Sequence, residues 1–150
     1  MRRRPAVLIV VGFAVFVFLG LSFLLARGLT GSSAERGKVL DLLEAQAQGD
    51  ADAVLAMLPA CADEPACRRV TAERVLRLKR PGEVEILNYE PSTRLSLTRR
   101  TGSGRVAWRA GKSLPVVQCV RVRREGPMTG GAVELLSLSD PIDGEASCGT

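Results

Sequence analysis

The residues able to do chemistry in this 150-residue chain are four cysteines, a large set of arginines and a few scattered carboxylates; there is no histidine. Without histidine the commonest general base and metal ligand is missing, and the Ser-His-Asp and Cys-His hydrolase constellations go with it. No Gly-rich phosphate loop, no G-x-S-x-G elbow and no metal-ligand run occurs in the sequence. The polar groups that a small-molecule pocket would need narrow to Asp41, Asp50 and Tyr89. A helix cap accounts equally well for Asp50, and a solvated helix face for Asp41. The sequence therefore assigns no catalytic residue, no metal and no cofactor.

Cys61, Cys67, Cys119 and Cys148 form an even set, and four cysteines permit three pairings. The expected pairs are Cys61 with Cys67, bracketing ADEPA between two helices, and Cys119 with Cys148, tying the C-terminal tail to a strand. On the chain-entropy account, loops of these lengths stabilise by about 2 and about 3.5 kcal/mol. A zinc site of all four cysteines is the alternative, but the C-x2-C pairs of structural zinc are absent, as is the C-x-x-C of a redox pair. Two disulfides fit the oxidising compartment expected for an exported domain.

The formal charge is +5, but Arg2, Arg3, Arg4 and Arg27 flank an apolar N-terminal run, and the remainder is a basic middle between acidic ends. Arg99, Arg100, Arg105, Arg109, Arg121, Arg123 and Arg124 have two readings. They form a sheet face that contacts an anionic polymer or lipid headgroups, or a solvated face neutralised by the acidic segments. Nucleic acid is not an expected partner, because outside the N-terminal run the aromatic stacking groups are only Tyr89 and Trp108.

Behind these residues stand the elements that must position them. Residues 6–26 carry no charge, and a helix of that length matches the ~30 Å hydrocarbon core of a bilayer. The expected organisation is a cytoplasmic stub and transmembrane helix over 1–28, a linker over 29–33, an extracytoplasmic domain over 34–139 and a tail over 140–150. The arginines ahead of the run put the N-terminus in the cytoplasm and the domain outside, a single-pass protein of the cell membrane. The alternative is signal cleavage after Ala34 and secretion. The membrane, through residues 6–26, is thus one expected partner.

Ser32 and Glu35 have capping-box spacing, opening a helix that buries Val39, Leu40, Leu42, Leu43, Ala45 and Ala47 and turns Glu35, Lys38, Asp41 and Glu44 outward. Gly49 ends it. A second helix covers 51–58 and stops at Pro59; a third follows Asp63, runs to Lys79 and buries Val70, Val75 and Leu78. From Glu83 onward the period becomes alternating, and strands are expected over 83–89, 94–100, 105–110, 115–124 and 132–139. TGSG at 101–104 and GPMTGG at 126–131 read as turns.

Helices with GDADAVLAMLPAC in the second, followed by a meander ending in VVQCVRVRREG and AVELLSLS, resemble the cystatin-like superfamily that includes nuclear transport factor 2-like domains. The resemblance covers roughly residues 33–139 and lies in segment order. It implies an α+β fold in which three helices pack on a curved antiparallel sheet of four to five strands, a cone that can hold a pocket. That superfamily includes both enzymes and binding proteins. Three functions follow as expectations: a non-catalytic binding or envelope-accessory protein with a protein partner or small ligand, a pocket protein or isomerase-type enzyme, and an anion-binding surface.

Overall fold

The structure, a computed structural model, describes residues 3–91, 101–125 and 132–149, and the side chains of these outside 3–10, 24–32 and 125. The described chain is α+β. The first helix, α1 (Arg3–Gln48), is followed by α2 (Ala51–Met57), α3 (Pro59–Ala62) and α4 (Pro65–Leu78). Strands β1 (Val84–Glu90), β2 (Thr101–Ala110), β3 (Val116–Glu125) and β4 (Ala132–Leu138) form one antiparallel sheet in the order β1-β2-β3-β4.

The start of the chain corrects the sequence reading. The apolar run, the expected linker and the first domain helix are one 46-residue helix. No proline interrupts it after Pro5, and an isolated glycine such as Gly28 or Gly31 costs a helix only about 1 kcal/mol. The helix start expected at Ser32 is therefore interior to α1. The expected membrane span over 6–26 is not borne out: among the described residues no helix is long and apolar enough to cross a membrane.

The second half of α1 is the centre of the domain. Val39, Leu42, Leu43 and Ala47 stand at helical spacing, are buried, and meet Trp108, Val106, Val120, Val122, Leu135 and Leu138 from the inner face of the sheet. Val54 and Leu58 of the α2 region and Val75 of α4 complete this core. Asp50 caps α2 as expected, its carboxylate accepting from the Ala53 N–H at 2.9 Å. The third predicted helix is α4, but Val70 is exposed rather than buried, and the turn before it winds into the short α3.

In the sheet, alternation along β3 buries Val116, Gln118, Val120 and Val122, and the register sets Trp108 opposite Val116 and Gly104 opposite Val120. TGSG is therefore the start of β2, not a turn, because pairing with β3 outweighs the local preference of its glycines. The expected strand 94–100 lies outside the described residues, as does the GPMTGG turn. At the opposite end of the sheet, Gly82 (φ +113°) lies so close to Gly111 that a Cβ there would come within 2.7 Å of the Gly111 Cα.

After β4 the chain crosses the outer face of the sheet as a strap. The Ser139 N–H donates to Cys119 O at 2.8 Å, the Ile142 N–H to Val117 O at 2.8 Å, and the Arg105 guanidinium donates to Gly144 O. Cys148 then closes on Cys119.

Candidate functional site

Four groups of side chains could carry function: a buried carboxylate at the end of the sheet where α1 leaves it, a polar cluster in the core, the arginine face and a groove beside α4. The carboxylate is Glu35. It stands four residues before Val39 and seven before Leu42, on the buried stripe of α1, and is fully buried. Tyr89 of β1 donates its hydroxyl to Glu35 Oε1, and Arg124 of β3 donates from Nη2 to Glu35 Oε2 at 2.5 Å. Burial first, and then the hydrogen bond to Glu35 and its negative charge, push the Tyr89 hydroxyl far above the ordinary phenol value, against an opposing pull from Arg124. Tyr89 is thus a fixed donor rather than a base. Lys38, one turn further on, donates to Val133 O at 2.5 Å on β4. Together these contacts pin α1 to three strands.

The three expected pocket groups, Asp41, Asp50 and Tyr89, are not brought together in the structure. Asp41 is exposed on α1, Asp50 is the exposed cap of α2, and Tyr89 is held by Glu35. Glu35 is buried, not on the outward side expected from the sequence. Its position four before Val39 was the signal that would have found it.

Deeper in, Trp108 Nε1 donates to Gln118 Oε1 at 2.8 Å, Gln46 Nε2 donates to the same oxygen at 3.0 Å, and Gln118 Nε2 donates to Ser139 O at 2.7 Å. An indole N–H can only donate, so it fixes the orientation of Gln118, which in turn fixes Gln46. Gln46 Oε1 is left buried with no partner among the described residues. Around this cluster Trp108, Leu42, Leu43, Val39, Val106 and Val120 fill the space between α1 and the sheet.

The arginines divide between two faces. Arg124 alternates with Val120 and Val122 and points inward to Glu35, away from the expected anion-binding set. Arg105, Arg109, Arg121 and Arg123 lie on the outer face. There Arg109 faces Glu85 at 2.7 Å, Arg105 faces Glu90 at 3.3 Å and Arg123 faces Glu134 at 3.5 Å, each acid directly across the ladder. Arg121 is exposed and has no acidic partner among the described residues. Arg99 and Arg100 lie outside the described residues.

The groove, about 300 Å³, lies between α4 and the end of β4, with Leu58, Val70 and Leu138 among its walls and the Cys61–Cys67 disulfide in its side. The nearly buried Arg74 also lines it, donating from Nε to Asp140 Oδ1 at 3.0 Å and from Nη1 to Leu138 O at 2.6 Å. Arg77 reaches the same Asp140 oxygen at 2.8 Å. The hydrogen bond from Arg74 holds the Asp140 carboxyl below its usual range; burial opposes it, and the positive charges of Arg74 and Arg77 add to it.

Both expected disulfides are present, with Cα–Cα distances of 5.2 Å for Cys61–Cys67 and 5.6 Å for Cys119–Cys148. Among the described residues no group of three or more His, Cys, Asp or Glu is placed to hold a metal ion. No protein family, no curated protein and no solved structure matches this chain.

Proposed function

We propose that this protein is a non-catalytic binding or envelope-accessory protein that works outside the cytoplasm, its domain held at a lipid surface by the apolar arm of α1. The observation that carries the reading is that arm. Phe13, Phe16, Phe18 and Leu19 are 59–76% exposed and point to all sides of the helix at 100° per residue. Large apolar side chains this exposed call for an apolar partner surface along the arm, which a lipid surface supplies. The two disulfides support an oxidising compartment. The filled interior and the fixed, protonated Tyr89 favour binding over chemistry, and the cross-strand acids beside three of the outer arginines count against a general anion-binding face. The cystatin-like resemblance is kept within this proposal, supported by the meander order and by α1 lying on its inner face.

Flotation with zwitterionic phosphatidylcholine vesicles tests the lipid contact. The full chain is expected to rise with the vesicles, and a V15E/F16E/L19E variant to stay in the aqueous fraction. A wild-type chain that remains dispersed and aqueous overturns the reading.

A further inference from the structure

We propose that the Cys61–Cys67 disulfide is a thiol–disulfide exchange site, reached through the groove beside α4 by a dithiol-containing polypeptide, while Cys119–Cys148 is the structural bond. The two sulfurs of the first pair are unequally placed. Cys61 is 2% exposed, whereas Cys67 is half-buried, and both line the groove. An incoming thiolate therefore meets Cys67 Sγ and expels Cys61.

The leaving sulfur is prepared for the charge it would take. Thr71 Oγ1 lies 3.2 Å from Cys61 Sγ, and because a disulfide sulfur has no hydrogen, the hydroxyl is the donor. That hydrogen bond strengthens as Cys61 becomes a thiolate. Cys67 occupies the first turn of the 14-residue α4, whose N-terminus has no side-chain cap, so the backbone N–H groups there favour a thiolate once the bond opens. Arg74 adds a positive charge to the groove lining and Glu64 a negative one. The C-x5-C spacing is unlike that of redox pairs known by C-x-x-C, so it is the fold that assembles this arrangement.

The exchange balances in two steps. A partner thiolate attacks Cys67 Sγ, forming the mixed disulfide and releasing Cys61 as a thiolate. The partner's second thiolate then attacks its own sulfur in that mixed disulfide, forming the partner's disulfide and releasing Cys67. The partner dithiol loses two electrons, the Cys61–Cys67 pair gains them, and the two thiol protons pass through solvent to the released thiolates.

The test treats the detergent-dispersed full chain with graded dithiothreitol, quenches with N-ethylmaleimide and maps the labelled cysteines by peptide mass spectrometry. Cys61 and Cys67 are expected to label together while Cys119–Cys148 stays closed and the circular dichroism is unchanged. With the monothiol 2-mercaptoethanol, the adduct is expected on Cys67. T71V is expected to slow opening about fivefold, the worth of one hydrogen bond, and T71S to keep the wild-type rate. Opening of Cys119–Cys148 first, resistance of Cys61–Cys67 until the domain unfolds, or an adduct on Cys61 overturns the proposal, as does an unchanged rate in folded T71V. If T71V does not fold, the wild-type order of opening and the adduct site still decide.

Discussion

Gln118 and Gln46 share one buried cluster but carry unequal weight. Gln118 accepts from Trp108 and from Gln46 and donates to Ser139 O, whereas Gln46 donates once and keeps an unpartnered buried oxygen. Removing a group that others need orphans its partners; removing one that is itself half-satisfied does not. Q118M is therefore expected to lose about 3 kcal/mol in urea unfolding, and Q46M to change stability by less than about 1 kcal/mol in either direction. Asp140 gives a pH test at the same scale. Its folded-state pKa is depressed, so its pairing with Arg74 contributes stability above the unfolded carboxyl value of about 4 and loses it as pH falls through the lower folded value. Because Asp140 is 57% exposed, solvent screens the pair, and D140N is expected to cost only about 1 kcal/mol at pH 7. The wild-type and D140N unfolding midpoints should converge as the pH drops below 4. Individual residues were legible where their partners are local, as with the Asp50 cap. Glu35 was not, because Tyr89 and Arg124 lie 54 and 89 residues away in sequence.

At the scale of elements, the period changes in the sequence mark α2, α4, β1, β3 and β4 to within a residue or two at most of their ends, because burial of one face is written directly into spacing. The departures occur where local preference and tertiary pairing disagree. TGSG carries turn-forming residues yet pairs along β3, and GLTGSS carries linker-like residues yet continues α1. Glycines give the sharpest check of element geometry. At Gly82 the left-handed backbone and the approach of Gly111 leave no room for a Cβ, and G82A is expected to lose about 2 kcal/mol or more. Gly37 sits within α1 with nothing near its missing Cβ, and G37A is expected to gain about 0.5–1 kcal/mol. Thermal unfolding of the two variants side by side should move in opposite directions.

For the whole molecule, the pairing of the cysteines was legible because the two bonds join segments that the element order already brings together. The strap across the outer sheet face was visible only as a tail with a cysteine near its end; its hydrogen bonds to Val117 and Arg105 are set by the sheet it lies on. Cys119 and Cys148 are 29 residues apart, and a C119A/C148A variant is expected to lose about 3.5 kcal/mol on the chain-entropy account. Its amide hydrogens at Ser139 and Ile142 should exchange faster than those of the α1–sheet core.

The continuity of α1 also gives the molecule a fixed angular phase. A helix of 46 residues is a rod about 69 Å long, and its inner half is clamped to β1, β3 and β4 by Glu35, Lys38 and Gln46. Whatever holds the outer half thereby sets the compass bearing of the domain as well as its distance. One residue inserted at 30 would swing the groove by about 100° and raise it by about 1.5 Å, and seven would return it almost to its original heading. The stretch that reads like slack in the sequence behaves, in this fold, as a driveshaft.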